Sequence, residues 1–215
     1  MQLIPKKAYY IWIGDNKKPN IFNRCYNSWL TYLKDYEIIE INENNFDIEY
    51  HRKKNKFFNE CFEKKLWAYC SDYIRTVVLY ENGGIYLDID MELLKPIDKY
   101  LNYDFFIGYE SRQYLGVGLY GASKNSVILK KLLEFYEKDI YNKALWTIPK
   151  ILTNLIFENN FDKLDNILLL EKEYFYPFGL NEKFSKSVIT NKTVAIHWWN
   201  ASWSSLKNKL FLETK

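Results

Sequence analysis

The feature that most constrains the fold is a helix stop, a short apolar strand and two carboxylates in immediate succession. Gly83 and Gly84 follow a long helical pattern, and glycine is the usual residue just past the end of a helix. Residues 85–90 come next and predict a strand. In an extended strand alternate side chains share a face, so we expect Asp88 and Asp90 to point together.

The two carboxylates indicate a metal site. Two carboxylates that end one apolar strand repel each other unless a cation lies between them. Mn²⁺ and Mg²⁺ bind oxygen ligands and keep positions open for substrate phosphates. Such an ion neutralises the charge that develops on a departing diphosphate. We therefore expect Asp88 and Asp90 to hold Mn²⁺ or Mg²⁺, with Tyr86 on the same face. A solvated strand end is the alternative for an isolated Asp-x-Asp motif.

Asp72 and Arg75 lie one turn apart on the helix that we predict over residues 57–80, so their side chains are neighbours. One interpretation is an exposed intrahelical ion pair, which contributes little to stability. The other is an arginine that Asp72 holds so that its planar guanidinium faces a diphosphate or a ribose. Position in the sequence does not choose between them.

Two aromatic segments supply further candidates. Trp12 ends the first predicted strand, where it either packs in the core or stacks on the base of a donor. His197 follows the apolar run 193–196, and a neutral imidazole is a good third ligand for Mn²⁺. Ser202 and Trp203 offer a hydroxyl and an indole N–H to a diphosphate. A structural histidine beside packed tryptophans is the alternative for this segment.

Apolar periodicity predicts strands that alternate with helices. We expect strands at 8–13, 36–41, 85–90, 104–109, 119–122, 167–170 and 193–196, and helices at 21–33, 57–80, 125–141 and 147–157. This alternation favours an α/β fold with a mostly parallel central sheet flanked by helices. Ligands of such sheets bind at the carboxyl ends of the strands. A chain of 215 residues suits a single domain over residues 1–215.

Composition and charge argue against several classes of protein. A net charge of +3, from 30 basic and 27 acidic residues, is too balanced to favour a nucleic-acid partner. We expect no transmembrane segment and no signal peptide. The three cysteines fit neither a disulfide framework nor a zinc motif, so we expect a cytoplasmic protein. The basic run 52–56 predicts a solvated loop or helix start. Its alternatives are weak peripheral contact to anionic lipid at the inner membrane face and contact with an acceptor substrate.

Three separated segments resemble glycosyltransferase family 32. The central one reads Ala68-x-x-x-Asp72-x-x-Arg75, then Leu79-Tyr80-x-x-Gly83-Gly84-Ile85-Tyr86-Leu87-Asp88-x-Asp90. The opening segments Ile4-Pro5-Lys6 and Ile11-Trp12-Ile13-Gly14 and the closing segment 197–203 resemble the same family. That family includes capsular-polysaccharide and yeast mannan-initiating transferases, and it is similar to the catalytic domains of glucosylating clostridial toxins. The resemblance spans nearly the whole chain.

The resemblance implies a GT-A type fold and a metal-dependent hexosyl transfer that retains the anomeric configuration. The donor would be a nucleotide sugar, such as a UDP-sugar, and the acceptor a saccharide that a lipid could carry, in surface or capsular polysaccharide synthesis. Arg75, Asp88 and Asp90 would be catalytic. The implied contacts are Trp12 with the base, Asp72 and Arg75 with ribose and diphosphate, Tyr86 with the phosphates, Asp88 with ribose and metal, Asp90 and His197 with the metal, and Ser202 and Trp203 with the diphosphate.

The sequence departs from the family pattern at one position, and other classes of protein have to be weighed against a glycosyltransferase. The family usually has His where this chain has Tyr9. A haloacid-dehalogenase phosphatase also uses Asp-x-Asp but needs Thr or Val where this chain has Glu92. A carbohydrate-binding module would explain the 19% aromatic content without explaining the predicted metal set. A relative that only binds or hydrolyses the donor stays open at this point.

The retaining reaction itself has two possible routes. It can proceed by double displacement or by same-face attack, and the sequence nominates no carboxylate nucleophile. Glu110 and Gln113, after the predicted strand at 104–109, are expected on the acceptor side.

Overall fold

The protein folds around a six-stranded sheet in a computed structural model that describes residues 2–142 and 147–200. The sheet contains β1 (Lys7–Ile11), β2 (Glu37–Ile41), β3 (Gly84–Leu87), β5 (Phe105–Tyr109), β6 (Leu115–Ala122) and β7 (Ile167–Leu170). Its strand order is β2-β1-β3-β6-β5-β7. The pairs β1–β2, β1–β3 and β5–β7 are parallel, whereas β6 runs antiparallel to β3 and to β5. β4 (Met91–Leu93) and β8 (Ala195–His197) form a separate antiparallel pair.

Helices cover both faces of the sheet, as the alternating pattern predicts. They are α1 (Ile21–Tyr32), α2 (Ile48–Lys54), α3 (Lys56–Glu63), α4 (Trp67–Asn82), α5 (Val127–Lys138), α6 (Ile148–Glu158) and α7 (Lys172–Phe175). Three 3-10 turns cover Asp98–Asn102, Phe161–Lys163 and Lys186–Val188. In the described part of the chain, no helix is long and apolar enough to span a membrane.

The sheet is buried on both faces because helices pack on each of them, and successive strand residues point alternately into the two cores. Tyr9, Tyr86 and Tyr120 belong to the core cluster that contains α4. Ile85 and Leu119 belong to the second cluster, with α1. Every residue of β3 and of β6 is buried, so the continuous apolar runs reflect two covered faces.

The helix predicted over 57–80 is wrong as a single element. It is two helices, because the chain turns at Lys65, whose φ is 55° in the left-handed region. The backbone N–H of Leu66 donates to the carbonyl of Cys61 at 2.8 Å and closes that turn. Both helices bury apolar residues in the same core, so one periodic pattern continues across the break.

The basic run predicted as a loop or helix start lies across the end of α2 and the start of α3. The sequence pattern did not predict α2. Asp47 caps it, since its carboxylate accepts the backbone N–H of Tyr50 at 2.9 Å.

Candidate active site

Asp88 and Asp90 lie in a tight turn between β3 and β4, so the prediction that they share a strand face is wrong. β3 ends at Leu87, and the backbone N–H of Met91 donates to the carbonyl of Asp88 at 2.9 Å. Ile89 points into the core with 5% exposure. The turn still brings both carboxylates to one side, at the carboxyl end of β3.

Protein groups hold one oxygen of the Asp88 carboxylate. The Tyr86 hydroxyl donates to Oδ1 at 2.8 Å, and Nη2 of Arg75 lies 3.3 Å from the same atom. Oδ2 instead faces Nε2 of His197 at 3.9 Å. The backbone also fixes the residue, because its N–H donates to the carbonyl of Gly118 at 2.7 Å. One oxygen is therefore anchored and the other is directed at the histidine.

Asp90 repeats this division with different partners. Its Oδ2 accepts the backbone N–H of Asn200 at 2.8 Å, and its Oδ1 lies 3.1 Å from Nε2 of His197. The backbone N–H of Trp198 donates to the Asp90 carbonyl at 3.0 Å. Pairing of β8 with β4, in which Met91 lies opposite His197, delivers this distant segment to the turn.

The three side chains fit a divalent cation. One ligand atom from each of Asp88, Asp90 and His197 lies within 4.8 Å of the others. Two ligands at right angles on an ion, each ~2.1 Å from it, would be roughly 3 Å apart. The separations of 3.1 Å and 3.9 Å from the imidazole nitrogen are compatible with that spacing. Two carboxylates and one imidazole suit Mn²⁺ or Mg²⁺.

The carboxylates around His197 favour the protonated form of its imidazole. Burial alone lowers the pKa of His197, but the carboxylates of Asp90 and Asp88 outweigh burial and raise it. Burial raises the pKa of Asp90, but His197 and the Asn200 N–H outweigh burial and lower it. Both shifts favour a His197–Asp90 ion pair, and a cation bound there would take the place of the imidazole proton.

Arg75 is buried behind the turn, so the alternative of an exposed ion pair is wrong. It is 5% exposed, and its Nη1 donates to the carbonyl of Val117 at 3.0 Å. Its Nη2 lies 3.3 Å from Asp72 as well as 3.3 Å from Asp88. The guanidinium carbon lies 4.1 Å from the centre of the Tyr86 ring. Arg75 therefore fixes the position of the Asp88 carboxylate from the buried side of the turn. Burial raises the pKa of Asp72 to about 7, and the positive charge of Arg75 opposes that shift.

Of the other residues predicted to contact the donor, Trp12 and Tyr86 lie within the described part of the chain. Trp12 follows β1 and is 9% exposed, and its indole N–H donates to the carbonyl of Asn16 at 2.8 Å. Stacking of this ring on a base stays a prediction, as does contact of Tyr86 with phosphates. Ser202 and Trp203 lie outside the described residues.

Sequence reasoning missed a clamp made of Arg24, Glu92 and Trp198. The Trp198 indole N–H donates to Oε2 of Glu92 at 2.8 Å. Nε of Arg24 lies 2.9 Å from the same oxygen, and its guanidinium carbon lies 4.4 Å from the centre of the Trp198 ring. The clamp ties α1 and β4 to the segment that holds His197. The only feature of the sequence that pointed to this clamp was the position of Glu92, two residues after Asp90.

Tyr176 closes another side of the site. Its hydroxyl accepts the backbone N–H groups of Gly118 at 2.9 Å and Leu119 at 3.2 Å. A Cβ on Gly116 would lie 2.4 Å from the Tyr176 ring, so only glycine fits there. Burial raises the pKa of Glu110 to about 7, with His197 opposing and Asp88 adding to the shift. Glu110, expected on the acceptor side, thus interacts electrostatically with two of the candidate ligands.

Comparison with known proteins points to one activity. Residues 19–106 match the family described as glycosyltransferase sugar-binding region containing DXD motif. An uncharacterized glycosyltransferase of Acanthamoeba polyphaga mimivirus is 27% identical over 99% of this chain and 90% of its own length. The human alpha-1,4-N-acetylglucosaminyltransferase is 24% identical over 66% of this chain, which spans 45% of that protein.

Solved structures share the fold. The PaToxG glycosyltransferase matches with a TM-score of 0.57 at 18% identity, over 73% of this chain and 69% of that chain. A glycosyltransferase involved in the glycosylation of the major capsid of PBCV-1 matches with a TM-score of 0.51 at 13% identity, over 98% and 100% of the two chains. These likenesses confirm the predicted α/β fold.

The matched segment contains the whole turn that carries the two aspartates. The DXD motif of the family description corresponds to Asp88-Ile89-Asp90 in this chain. The family match and the related sequences therefore identify the chain as a DXD-containing glycosyltransferase that is similar to family 32.

Proposed function

We propose that the protein transfers a hexose from a UDP-sugar to a saccharide acceptor, with retention of configuration and dependence on Mn²⁺ or Mg²⁺. The observation that supports this best is the convergence of Asp88, Asp90 and His197, with ligand atoms within 4.8 Å of each other. Bound there, the cation would neutralise the charge on the departing diphosphate. The family resemblance supports retention and the choice of UDP.

The residues of this chain have distinct parts in the proposal. Arg75 and Tyr86 hold Asp88 Oδ1, which keeps Oδ2 directed into the site. The Asn200 N–H holds Asp90 in the same way. Asp72 accompanies Arg75 and would reach the donor ribose. Such preorganisation allows charge stabilisation without rearrangement during the reaction.

The acceptor side would involve Glu110. A carboxyl group with a pKa of about 7 is partly ionised at neutral pH and suits proton exchange with an acceptor hydroxyl. We propose a saccharide acceptor, which a lipid could carry, in surface or capsular polysaccharide synthesis. The resemblance to capsular-polysaccharide transferases supports that setting.

The test is a screen of UDP- and GDP-sugars for nucleotide release, with Mn²⁺, Mg²⁺ or EDTA and a panel of saccharide acceptors. We expect release from a UDP-sugar that requires the metal and increases with the correct acceptor. The anomeric proton coupling in the product gives its stereochemistry by NMR. Metal-independent release or an inverted product would contradict the proposal, and release that no acceptor increases would favour a hydrolase.

A further inference from the structure

A cavity lies on the α4 side of the sheet, apart from the aspartate turn. It is an open cavity of about 510 Å³, lined by residues from β1, β2, the loop after β2, α2 and the last turns of α4. Glu81 and Asn82 border it at the end of α4, just before β3 begins. Asp88 follows the other end of β3, whose four residues span roughly 13 Å. None of the candidate metal ligands lines this cavity.

The inner walls of the cavity are apolar and aromatic. Tyr9, Ile41, Phe46 and Val78 line it and are each less than a tenth exposed. Tyr50 lines the rim and is 52% exposed. The volume falls within the range of small-molecule sites, which is about 300–1,000 Å³. A ligand would thus meet ring faces and aliphatic side chains inside, and an exposed ring at the mouth.

Two polar atoms on these walls have no hydrogen-bond partner among the described residues. His51 is 6% exposed, and its Nδ1 pairs with the Tyr73 hydroxyl at 3.1 Å. Its Nε2 has no partner within residues 2–142 and 147–200, nor has the hydroxyl of Tyr9. The Phe46 ring stacks on the imidazole at 4.4 Å and fixes its plane. Both atoms are accessible from the cavity, where a ligand hydroxyl could hydrogen-bond to them.

The charges at the rim disfavour an anionic ligand. Asp47 and Glu81 are acidic, whereas Lys7 is the basic residue on the lining and lies 4.0 Å from Glu37. Asn45 and Asn82 contribute amides. Carboxylates and amides accept hydrogen bonds from hydroxyl groups, and a carboxylate can accept two at once. Aromatic walls with carboxylates and amides at the rim suit a neutral polyhydroxylated ring.

We propose that this cavity binds a neutral saccharide unit. The ring would pack its C–H face on the aromatic walls and direct its hydroxyls to His51 Nε2, the Tyr9 hydroxyl and the rim carboxylates. This site is separate from the one that holds the donor, and it requires neither metal nor nucleotide. Binding there can therefore be measured whether or not the chain has the transferase activity proposed above.

The experiment uses the two histidines of the chain as NMR probes. The full-length protein is titrated with maltose, lactose and cellobiose in EDTA, and the imidazole Cε1–Hε1 signals are followed. His197→Ala assigns the remaining signal to His51. We expect a saturable shift of the His51 signal with at least one disaccharide and no shift of the His197 signal.

Matched variants locate the binding. Tyr50→Ala removes a ring at the rim and is expected to weaken binding about five-fold, the scale of one aromatic contact. Phe157→Ala removes a comparably exposed ring from α6 and should leave the affinity unchanged. The proposal is overturned by an unmoved His51 signal with all three sugars, by equal affinity in Tyr50→Ala, or by inorganic phosphate that shifts the signal as strongly.

Discussion

Nε2 of His197 lies 3.1 Å from Oδ1 of Asp90, although 107 positions separate the two residues along the chain. The contact depends on the small sheet in which Met91 pairs with His197, not on the central sheet. The candidate metal site therefore combines two aspartates that are neighbours in the sequence with a histidine that only the complete fold brings to them.

Asp90→Asn is expected to abolish most of the Mn²⁺ affinity while the fold survives. The amide still accepts the Asn200 N–H, but the site loses one charged ligand and the repulsion from Asp88. The loss of Mn²⁺ affinity, measured by calorimetry, should exceed the ~10–100-fold loss that follows removal of a residue that only hydrogen-bonds to a metal ligand. Asp35→Asn is the control, because that side chain is 82% exposed and far from any ligand role. Undiminished Mn²⁺ binding in Asp90→Asn would refute the assignment.

The pH dependence of metal binding should report His197. Its pKa is raised above 6.5, so a proton competes with Mn²⁺ at and below that raised pKa. The Mn²⁺ affinity should fall as pH drops through the raised pKa, by up to about tenfold per pH unit. A pH-independent half-saturation in wild type, or one unchanged in His197→Ala, would remove His197 from the site.

The same shift predicts how the metal-free protein responds to pH. A raised folded-state pKa contributes stability that is fully present below the unfolded value of 6.5. That contribution is lost as pH rises through the folded-state pKa. Thermal denaturation in EDTA should show the melting temperature of wild type falling over this window relative to His197→Ala. Parallel curves for the two proteins would contradict the His197–Asp90 ion pair.

Glu92→Ala should raise the Mn²⁺ requirement about tenfold although Glu92 is not a ligand. Its removal frees Trp198, which directly follows His197, and leaves Arg24 without its carboxylate. Glu92→Gln keeps an acceptor for the indole N–H and should retain most of the affinity. UDP affinity without metal should not change, which separates positioning from unfolding. Glu37→Ala, an exposed strand glutamate, is the control.

Trp12→Ala should weaken UDP binding by ~1–3 kcal/mol if the ring stacks on the base. The ring is 9% exposed, so the alanine variant also loses core packing. Trp12→Phe keeps an aromatic ring in place, so its UDP affinity by calorimetry should lie between those of wild type and Trp12→Ala. Reduced stability with undiminished UDP affinity in both variants would show that Trp12 is a core residue only.

Gly84→Ala should destabilise the protein by at least ~2 kcal/mol. Gly84 has a φ of +125°, and a Cβ there would lie 2.6 Å from the carbonyl oxygen of Lys7. Gly179→Ala is the control, since its nearest contact would be 3.5 Å. Urea denaturation gives both free energies of unfolding. Equal values would mean that the first residue of β3 tolerates a side chain.

The sequence predicted the central sheet well where apolar runs are bounded by turn residues. β7 has the predicted bounds, Ile167–Leu170, and β5 differs by one residue. Prediction of the strand at 85–90 was wrong at its end, because apolar alternation continues through Ile89 while the backbone turns. That alternation reports burial of Ile89 in the core and not its backbone conformation.

The sequence predicted individual residues of the candidate site but not how the fold brings them together. Asp88, Asp90 and His197 were nominated by type and by resemblance, and the structure brings their ligand atoms together. The clamp of Arg24 and Glu92 was not predictable, since it depends on the pairing of β4 with β8 and on the packing of α1 against β4. Local periodicity contains no information about which distant strands pair.

The pairing of β4 with β8 also sets an order of events during synthesis. The ribosome releases the aspartates about a hundred residues before the imidazole, and closing so long a loop is slow compared with forming α4 and its neighbouring strand. A nascent chain that lacks residues 195–200 therefore has the two carboxylates without their third partner or the Asn200 N–H. The proposed cation site is therefore complete only after that late segment has docked.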